Sequence, residues 1–210
     1  MAVTKRYHAP KFWTVKTKEK ECIRLGRGRR DILGHARTMN EAKKILLAGV
    51  IRVNDTVRKE HGFPVGLMDT VDVGGDFYRV VPSKKGLALY KTEQSHIRLA
   101  KITNKTSVKK GKLQLNFHDG TNMLVDKDNY KTSDVVSIDT AHNTIKDTVK
   151  FEKGSFAVVT GGNNTGFKGT IESIDRKLKT VIIAGGEKKL PVPIRYVFVV
   201  GRDAPIVNIG

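Results

Sequence analysis

The sequence predicts an α+β fold that is mainly β, with three folded parts behind a basic arm. One observation is a single well-signed helix start, Thr38 followed three residues later by Glu41, the capping-box spacing in which side chains satisfy orphan backbone donors. A second is that, beyond Gly74-Gly75, apolar residues recur at a period of two in short runs, the pattern of half-buried strands. The third is that turn dipeptides such as Asp119-Gly120 and His142-Asn143 separate those runs. A length of 210 residues accommodates one large domain or two to three small ones.

Residues 1–22 carry many charges and no sustained hydrophobic period, so they are expected to form an extension ordered by a partner. Between residues 29 and 48 two short helices are expected, Ile32 and Leu33 marking the apolar face of the first. In the second, Ala42, Ile45 and Leu46 recur at helical spacing and Gly49 suits the C-terminal cap. Ile51 and Val53 then alternate with Arg52 and Asn54, Asn54-Asp55 signals a turn, Val57 resumes the alternation, and Val71 and Val73 mark a returning strand. These elements make a unit over 23–75. A central β domain over 76–150 is expected from the alternating runs 77–81, 87–90, 113–117, 123–125 and 135–138. With a boundary near Lys150, a last unit over 151–210 repeats the style at 156–160, 169–174, 180–184 and 196–200, the spacing of a small barrel.

Charge bounds the function. The 39 Lys and Arg exceed the 21 Asp and Glu by a formal +18, self-repulsive unless a polyanion neutralises it. Nucleic acid is the obvious polyanion, because each phosphate neutralised by Lys or Arg releases condensed counterions; an anionic membrane surface is the alternative. Residues 1–30 alone net +8, whereas 31–75 net zero, so a basic arm precedes a neutral unit and several surfaces are expected to touch the polyanion. No apolar run reaches membrane-spanning length and the N-terminus lacks a signal-peptide core, which predicts a cytoplasmic protein. Cys22 is alone, excluding an internal disulfide or a cysteine-based zinc site.

Residues 23–73 resemble the αL motif, a small RNA-binding module of a bacterial small-subunit ribosomal protein shared with some pseudouridine synthases and tRNA synthetases. The matching positions are Asp31-Ile32-Leu33, Glu41-Ala42, Ile45-Leu46, 49–54, Val57 and 69–73, with Asn40-Glu41 standing where a Ser-Arg pair often opens the second helix. The resemblance implies an RNA surface on the two helices and the following turn, carried by Arg29, Arg30, Arg37, Lys43, Lys44, Arg52, Asn54, Arg58 and Lys59. Guanidinium groups engage phosphates bidentately, and lysines supply mobile point charge. In the arm, Lys5, Arg6, Lys11 and Arg27 are further phosphate candidates, and Trp13 can stack on a base or fold back onto the body.

Residues 153–171 resemble the KOW motif of ribosomal and transcription-elongation proteins, matching at Gly154, Gly161, Gly166, Gly169 and Ile171. The resemblance implies an SH3-like barrel whose Gly-rich loop approaches phosphate, with Asn163, Asn164 and Lys168 as the loop residues that reach RNA. Glycines for a tight barrel turn alone are the competing reading. Gly161 and Gly166 also have the spacing of a nucleotide-hydrolase phosphate loop, but Phe167 stands where that loop needs lysine, and 169–174 alternates as a strand rather than opening a helix. His8, His35, His61, His96, His118 and His142 are scattered without metal-ligand spacing, and Asp126 and Asp128 beside Lys127 suit a solvated loop better than a cation site. No catalytic residue, metal or cofactor is expected.

Taken together, the arm, the αL module, the β domain and the KOW barrel resemble the archaeal and eukaryotic small-subunit ribosomal proteins of the eS-four (S-four-e) family over nearly the whole chain. Local matches are His8-Ala9-Pro10-Lys11 with Trp13, Phe63-Pro64, Gly66-Leu67-Met68-Asp69, Lys150-Phe151 with Gly154, Thr160-Gly161-Gly162 with Asn164 and Gly166, and Tyr196, Phe198-Val199 and Gly201. A Pro-Gly-Pro-His-containing stretch common between the arm and the module is missing between Trp13 and Ile23, and the short C-terminal tail predicts an archaeal member. The resemblance implies a non-enzymatic constituent of the small subunit that binds ribosomal RNA and supports assembly and translation. Its implied partners are that RNA and neighbouring ribosomal proteins, with no membrane and no homo-oligomer. A free RNA-binding assembly or stress factor is the alternative. An RNA-modifying enzyme is disfavoured, since the residues beyond the αL module read as β units without an evident catalytic motif.

Overall fold

The computed structural model describes residues 23–24, 38–84, 86–93, 96–108, 111–126, 128–186, 188–202 and 204–207. The arm and the first expected helix lie outside the described residues, which open on a two-residue strand, β1 (Ile23–Arg24). Helix α1 (Met39–Leu47) starts at the predicted cap, where the Glu41 amide donates to Thr38 Oγ1 at 3.3 Å. It ends at Ala48, followed by Gly49 at φ +76°, the left-handed conformation that closes a helix without a Cβ clash. Ala42 and Leu46 on its apolar stripe are fully buried.

The next strands are β2 (Ile51–Val53), β3 (Thr56–Val57), β4 (Pro64–Val65), β5 (Thr70–Val73), β6 (Asp76–Ser83) and β7 (Gly86–Lys91). β4 pairs with β1, and the other five form one antiparallel sheet in the order β3-β2-β5-β6-β7. Asn54 at φ 49° and Asp55 at φ 61° make the two-residue β2–β3 turn, whose backbone twist matches the strands it joins. Gly74-Gly75 is likewise a hairpin loop, joining β5 to β6 within this sheet.

The second sheet, in the order β10-β9-β8-β11-β12, holds β8 (Ile97–Ser107), β9 (Leu113–Phe117), β10 (Asn122–Val125), β11 (Val135–Asp139) and β12 (Thr144–Val149). The third comprises β13 (Phe156–Val159), β14 (Lys168–Asp175), β15 (Thr180–Gly185), β16 (Lys188–Pro193) and β17 (Val197–Gly201), in the order β16-β15-β14-β13-β17. Three of these strands have no counterpart among the alternating runs of the sequence. β8 faces two cores and is bulged between Ile102 and Asn104, so no period of two survives. β12 is a mostly exposed edge strand, and β16 contains Pro191 and Pro193, which only an edge strand accommodates because proline donates no ladder hydrogen bond.

Two local cores and one shared core result. Leu46, Ile51, Val53, Val65, Val71, Val73 and Val80 pack between α1 and the first sheet. Ala100, Ile102, Leu115, Phe117, Val136 and Ile138 form the core of the second sheet. The third sheet's core, including Val158, Ile183, Val197 and Val199, also takes in Met68, Val81, Leu99, Val135 and Val149 from the other two. Successive side chains on a strand point to opposite faces. Val80 and Val81 of β6, Leu99 and Ala100 of β8, and Val135 and Val136 of β11 therefore fill two different cores from one strand each.

Polar groups tie the same joint. The Lys101 ammonium donates to the carbonyls of Ile194, Arg195 and Val197 at 3.2, 3.4 and 2.7 Å, linking β8 to the third sheet. His118 Nδ1 accepts from the Lys101 amide at 3.2 Å, which leaves the proton on Nε2 to donate to the Leu67 carbonyl at 3.3 Å. Burial lowers the His118 pKa, in keeping with that neutral ring, whose edge meets Phe198 at 5.3 Å between centroids. Arg98 and Asp119 pair at 2.6 Å, and fully buried Arg79 donates to the Ile97 carbonyl at 2.8 Å. Burial lowers the Lys101 ammonium to about 8, below its usual 10.5. Between those two values the unfolded chain holds a proton that the folded chain has lost, so this group's contribution to stability increases as pH rises through that window. Denaturant midpoints measured from pH 8 upward are expected to lack this increment in Lys101→Met; identical profiles in the two proteins would show that the ammonium is not desolvated.

Candidate nucleic-acid interface

Cations in the described residues divide into two populations. Lys91, Arg98, Lys105, Lys112, Lys146 and Lys189 are each paired with a carboxylate, from Asp76, Asp119, Asp128, Asp126, Asp139 and Glu172 in that order. Asp126 and Asp128 thus meet lysines. Asp139 also takes a hydrogen bond from His142, and the Lys146 and His142 bonds hold its carboxyl well below the usual carboxylate range. By contrast, Lys43 and Lys44 on α1, Arg52 on β2 and Lys59 beyond β3 have no carboxylate partner among the described residues. Lys44, Arg52 and Lys59 are exposed and Lys43 is half-buried.

Local structure explains how they are presented. Arg52 occupies the outward position between buried Ile51 and Val53. The Lys59 stem passes over the end of α1, its Cε 3.7 Å from where a Cβ on Gly49 would stand. Leu47, Val50 and Val57 are exposed around the same helix end, at 64%, 47% and 44%, so the cations share a surface with apolar side chains. Arg58 differs, since its guanidinium lies 4.5 Å over the half-buried Phe63 ring.

Asn54 and Asp55 have internal roles. Asn54 Nδ2 donates to Asp69 Oδ1 at 2.8 Å, and its Oδ1 accepts from the Thr70 amide at 3.0 Å. Asp69 also accepts from the Gly66 amide at 2.7 Å, yet burial still raises its pKa. Asp55 accepts from the Thr140 hydroxyl and binds His96 Nδ1 at 3.1 Å. The β2–β3 turn is therefore clamped to the β4–β5 connection on one side and to the second sheet on the other.

The Gly-rich loop over 160–167 joins β13 to β14. Its tip residues Asn163 and Asn164 are exposed. Gly161 sits so close to Tyr196 that a Cβ would come within 2.8 Å of the ring, and Arg195 lies over that ring at 4.6 Å. Arg195 is thus an exposed cation beside the loop that sequence reasoning missed; its only signal was a basic residue next to an aromatic one, 29 positions beyond Gly166. Lys168 points back toward Tyr90 of β7, with Nζ 5.9 Å from the ring, and partial burial lowers its pKa. Gly166, at φ +83°, packs on the β6–β7 hairpin, where a Cβ would stand 2.9 Å from the Ser83 backbone. The loop's base is thereby a sheet-to-sheet contact, and its tip is free. Lys5, Arg6, Lys11, Trp13, Arg27, Arg29, Arg30 and Arg37 lie outside the described residues.

Comparison with known proteins bears on this arrangement. The family model described as Ribosomal family S4e matches residues 74–145, and the KOW motif matches 153–183. The small ribosomal subunit protein eS4 of Pyrobaculum islandicum is 38% identical over 193 residues, covering 86% of this chain and 81% of that protein. The protein of the same name from Archaeoglobus fulgidus is 37% identical over 227 residues, covering 100% and 96%. The crystal structure of the 30S ribosomal protein S4e from Thermoplasma acidophilum superposes with a TM-score of 0.77 at 27% identity, covering 87% of this chain and 96% of that one.

Backbone strain at the loop gives a stability test. Gly166→Ala places a Cβ at positive φ and against backbone, so it is expected to cost at least about 1 kcal/mol, whereas Asn163→Ala on the exposed tip stays within about 0.5 kcal/mol of wild type. Chemical denaturation distinguishes them; equal midpoints would remove the packing role of Gly166.

Proposed function

Because this chain belongs to the S4e family of ribosomal proteins, we propose that it is a structural constituent of the small ribosomal subunit that binds ribosomal RNA and supports subunit assembly and translation. The observation that carries the RNA reading is the set of exposed cations without carboxylate partners among the described residues, in a chain of formal charge +18. Lys91, Arg98, Lys105, Lys112 and Lys146 are paired with carboxylates within the fold, so the excess charge is carried by other cations. Polyanion binding is what offsets its self-repulsion.

In this reading Lys43, Lys44, Arg52 and Lys59 neutralise phosphates at the α1 face, and the αL-like unit is a module for that purpose. Asn54 shapes the turn through its bonds to Asp69 and Thr70, contributing to the surface indirectly. Arg58 contributes through a guanidinium already oriented on Phe63. At the KOW loop, Asn163 and Asn164 reach RNA from the free tip with Arg195 alongside, and Lys168 supports the loop from beneath. The arm residues Lys5, Arg6, Lys11, Arg27, Arg29, Arg30 and Arg37 add phosphate contacts, and Trp13 stacks on a base. Phosphate contacts position the protein, and RNA shape supplies recognition, because side chains cannot read the deep groove of A-form RNA. The protein works in the cytoplasm as one copy per subunit, without cofactor or catalysis, beside other ribosomal proteins.

Small subunits purified through a high-salt sucrose gradient are expected to retain one copy each. Release by salt, or well under one copy, would point to a transient assembly or stress factor. The combined variant Lys44→Gln, Arg52→Gln and Lys59→Gln is expected to bind small-subunit ribosomal RNA more weakly and to flatten the plot of log affinity against log salt by roughly two to three.

A further inference from the structure

A cleft of about 380 Å³ opens where the chain passes from the second sheet to the third, lined by Lys150, Glu152, Lys153, Gly154, Ser155 and Arg202. Its cations come from two separate parts of the chain, Lys150 and Lys153 from the β12–β13 connection and Arg202 from just beyond β17. All three are exposed, and none has a carboxylate partner among the described residues. With Glu152 as the one carboxylate among the described residues of the lining, those residues carry two positive charges in excess.

The cleft is built rather than incidental. The Phe151 amide, between Lys150 and Glu152, donates to buried Asp134 at 2.9 Å, anchoring the connection to the second sheet. The Ser155 hydroxyl donates to the Lys150 carbonyl at 3.0 Å, and the Gly154 amide to the Ile171 carbonyl at 2.8 Å. Across the cleft, the Phe156 amide donates to the Arg202 carbonyl at 2.7 Å, so both walls hang on one hydrogen-bonded frame. Gly154 has φ +90°, and a Cβ there would meet nothing within 4 Å, so this stretch of wall is open to a ligand backbone. Among the described residues, no aromatic ring lines the cleft to stack a base, and no large apolar side chain lines it to receive an acyl chain. The ligand chemistry that fits is a chain of phosphodiesters.

We propose that this cleft is a second RNA-backbone site, in which Lys150, Lys153 and Arg202 hold successive phosphates of a strand separate from the one at α1. The proposal rests on the ribosomal RNA reading above and adds a specific site to it. Spacing the two sites across a rigid joint would let the protein hold two RNA segments at a set distance.

The test uses the full chain and transcribed small-subunit ribosomal RNA, comparing wild type, the variant Lys150→Gln, Lys153→Gln and Arg202→Gln, and the α1-face variant described above. All substituted side chains are exposed, and denaturant midpoints check that folding is unchanged. The cleft variant is expected to lose on the order of tenfold in affinity and to lower the salt slope by roughly two to three. Its hydroxyl-radical footprint should lack one RNA segment while keeping the segment lost by the α1-face variant. Unchanged slope and footprint with tight wild-type binding would overturn the cleft and leave the general reading standing; failure of wild type to bind would overturn both. Normal binding to the RNA with loss from reconstituted subunits would assign the cleft to an acidic protein partner instead and overturn the proposal.

Discussion

The structure depends on three strands that serve two cores at once. β6, β8 and β11 each put one face into a local core and the other against the third sheet, through Val81, Leu99 and Val135. Burying a valine or leucine side chain contributes roughly 1.5–3 kcal/mol, and here the second face of each strand is buried only if the third sheet is docked. Docking is therefore part of the fold, and the three sheets are expected to hold their relative placement as one unit. The polar ties follow the same seam: Lys101 to the third sheet, His118 to Leu67 and Phe198, and Asp55 to His96 and Thr140.

Rigidity of this kind suits a protein whose proposed work is to hold RNA segments apart. Inside the joint, Arg98 is paired with Asp119 and the Lys101 ammonium donates to three carbonyls. Lys44, Arg52 and Lys59 at the α1 face, Arg195 beside the KOW loop, and Lys150, Lys153 and Arg202 around the cleft lack carboxylate partners among the described residues. An exposed ion pair contributes little to stability, about 0–1 kcal/mol, so leaving these cations unpaired costs the fold little and keeps them available to phosphate.

Much of the architecture was legible because it is local. The Thr38 cap, the Gly49 stop and the left-handed backbone of the Asn54-Asp55 turn all act within a few residues of themselves, whereas Gly161 and Gly166 of the KOW loop answer to Tyr196 and Ser83, far away in sequence. β8 was not legible, because a strand buried on both sides loses the alternation that marks a half-buried one, and neither was β16, whose prolines argue against a strand unless it lies at an edge. Among the candidate site residues, Lys44 and Arg52 stand exposed where the helix and strand periods put them, and Lys59 is exposed in the loop beyond β3. Asn54 and Lys168 instead turn toward partners 15 and 78 positions away in sequence, Asp69 and Tyr90.

By itself, then, the sequence determined the mainly β class, the helix cap and hairpin turns, and the large positive charge, since propensity, period and composition are properties of neighbouring residues or of the whole chain. Tertiary structure alone decided which cations are neutralised within the fold and which are left for a partner. That division depends on distance: Lys101 reaches Val197 only when the third sheet closes on the other two, and Lys150 and Arg202 line one cleft only when β17 pairs with β13.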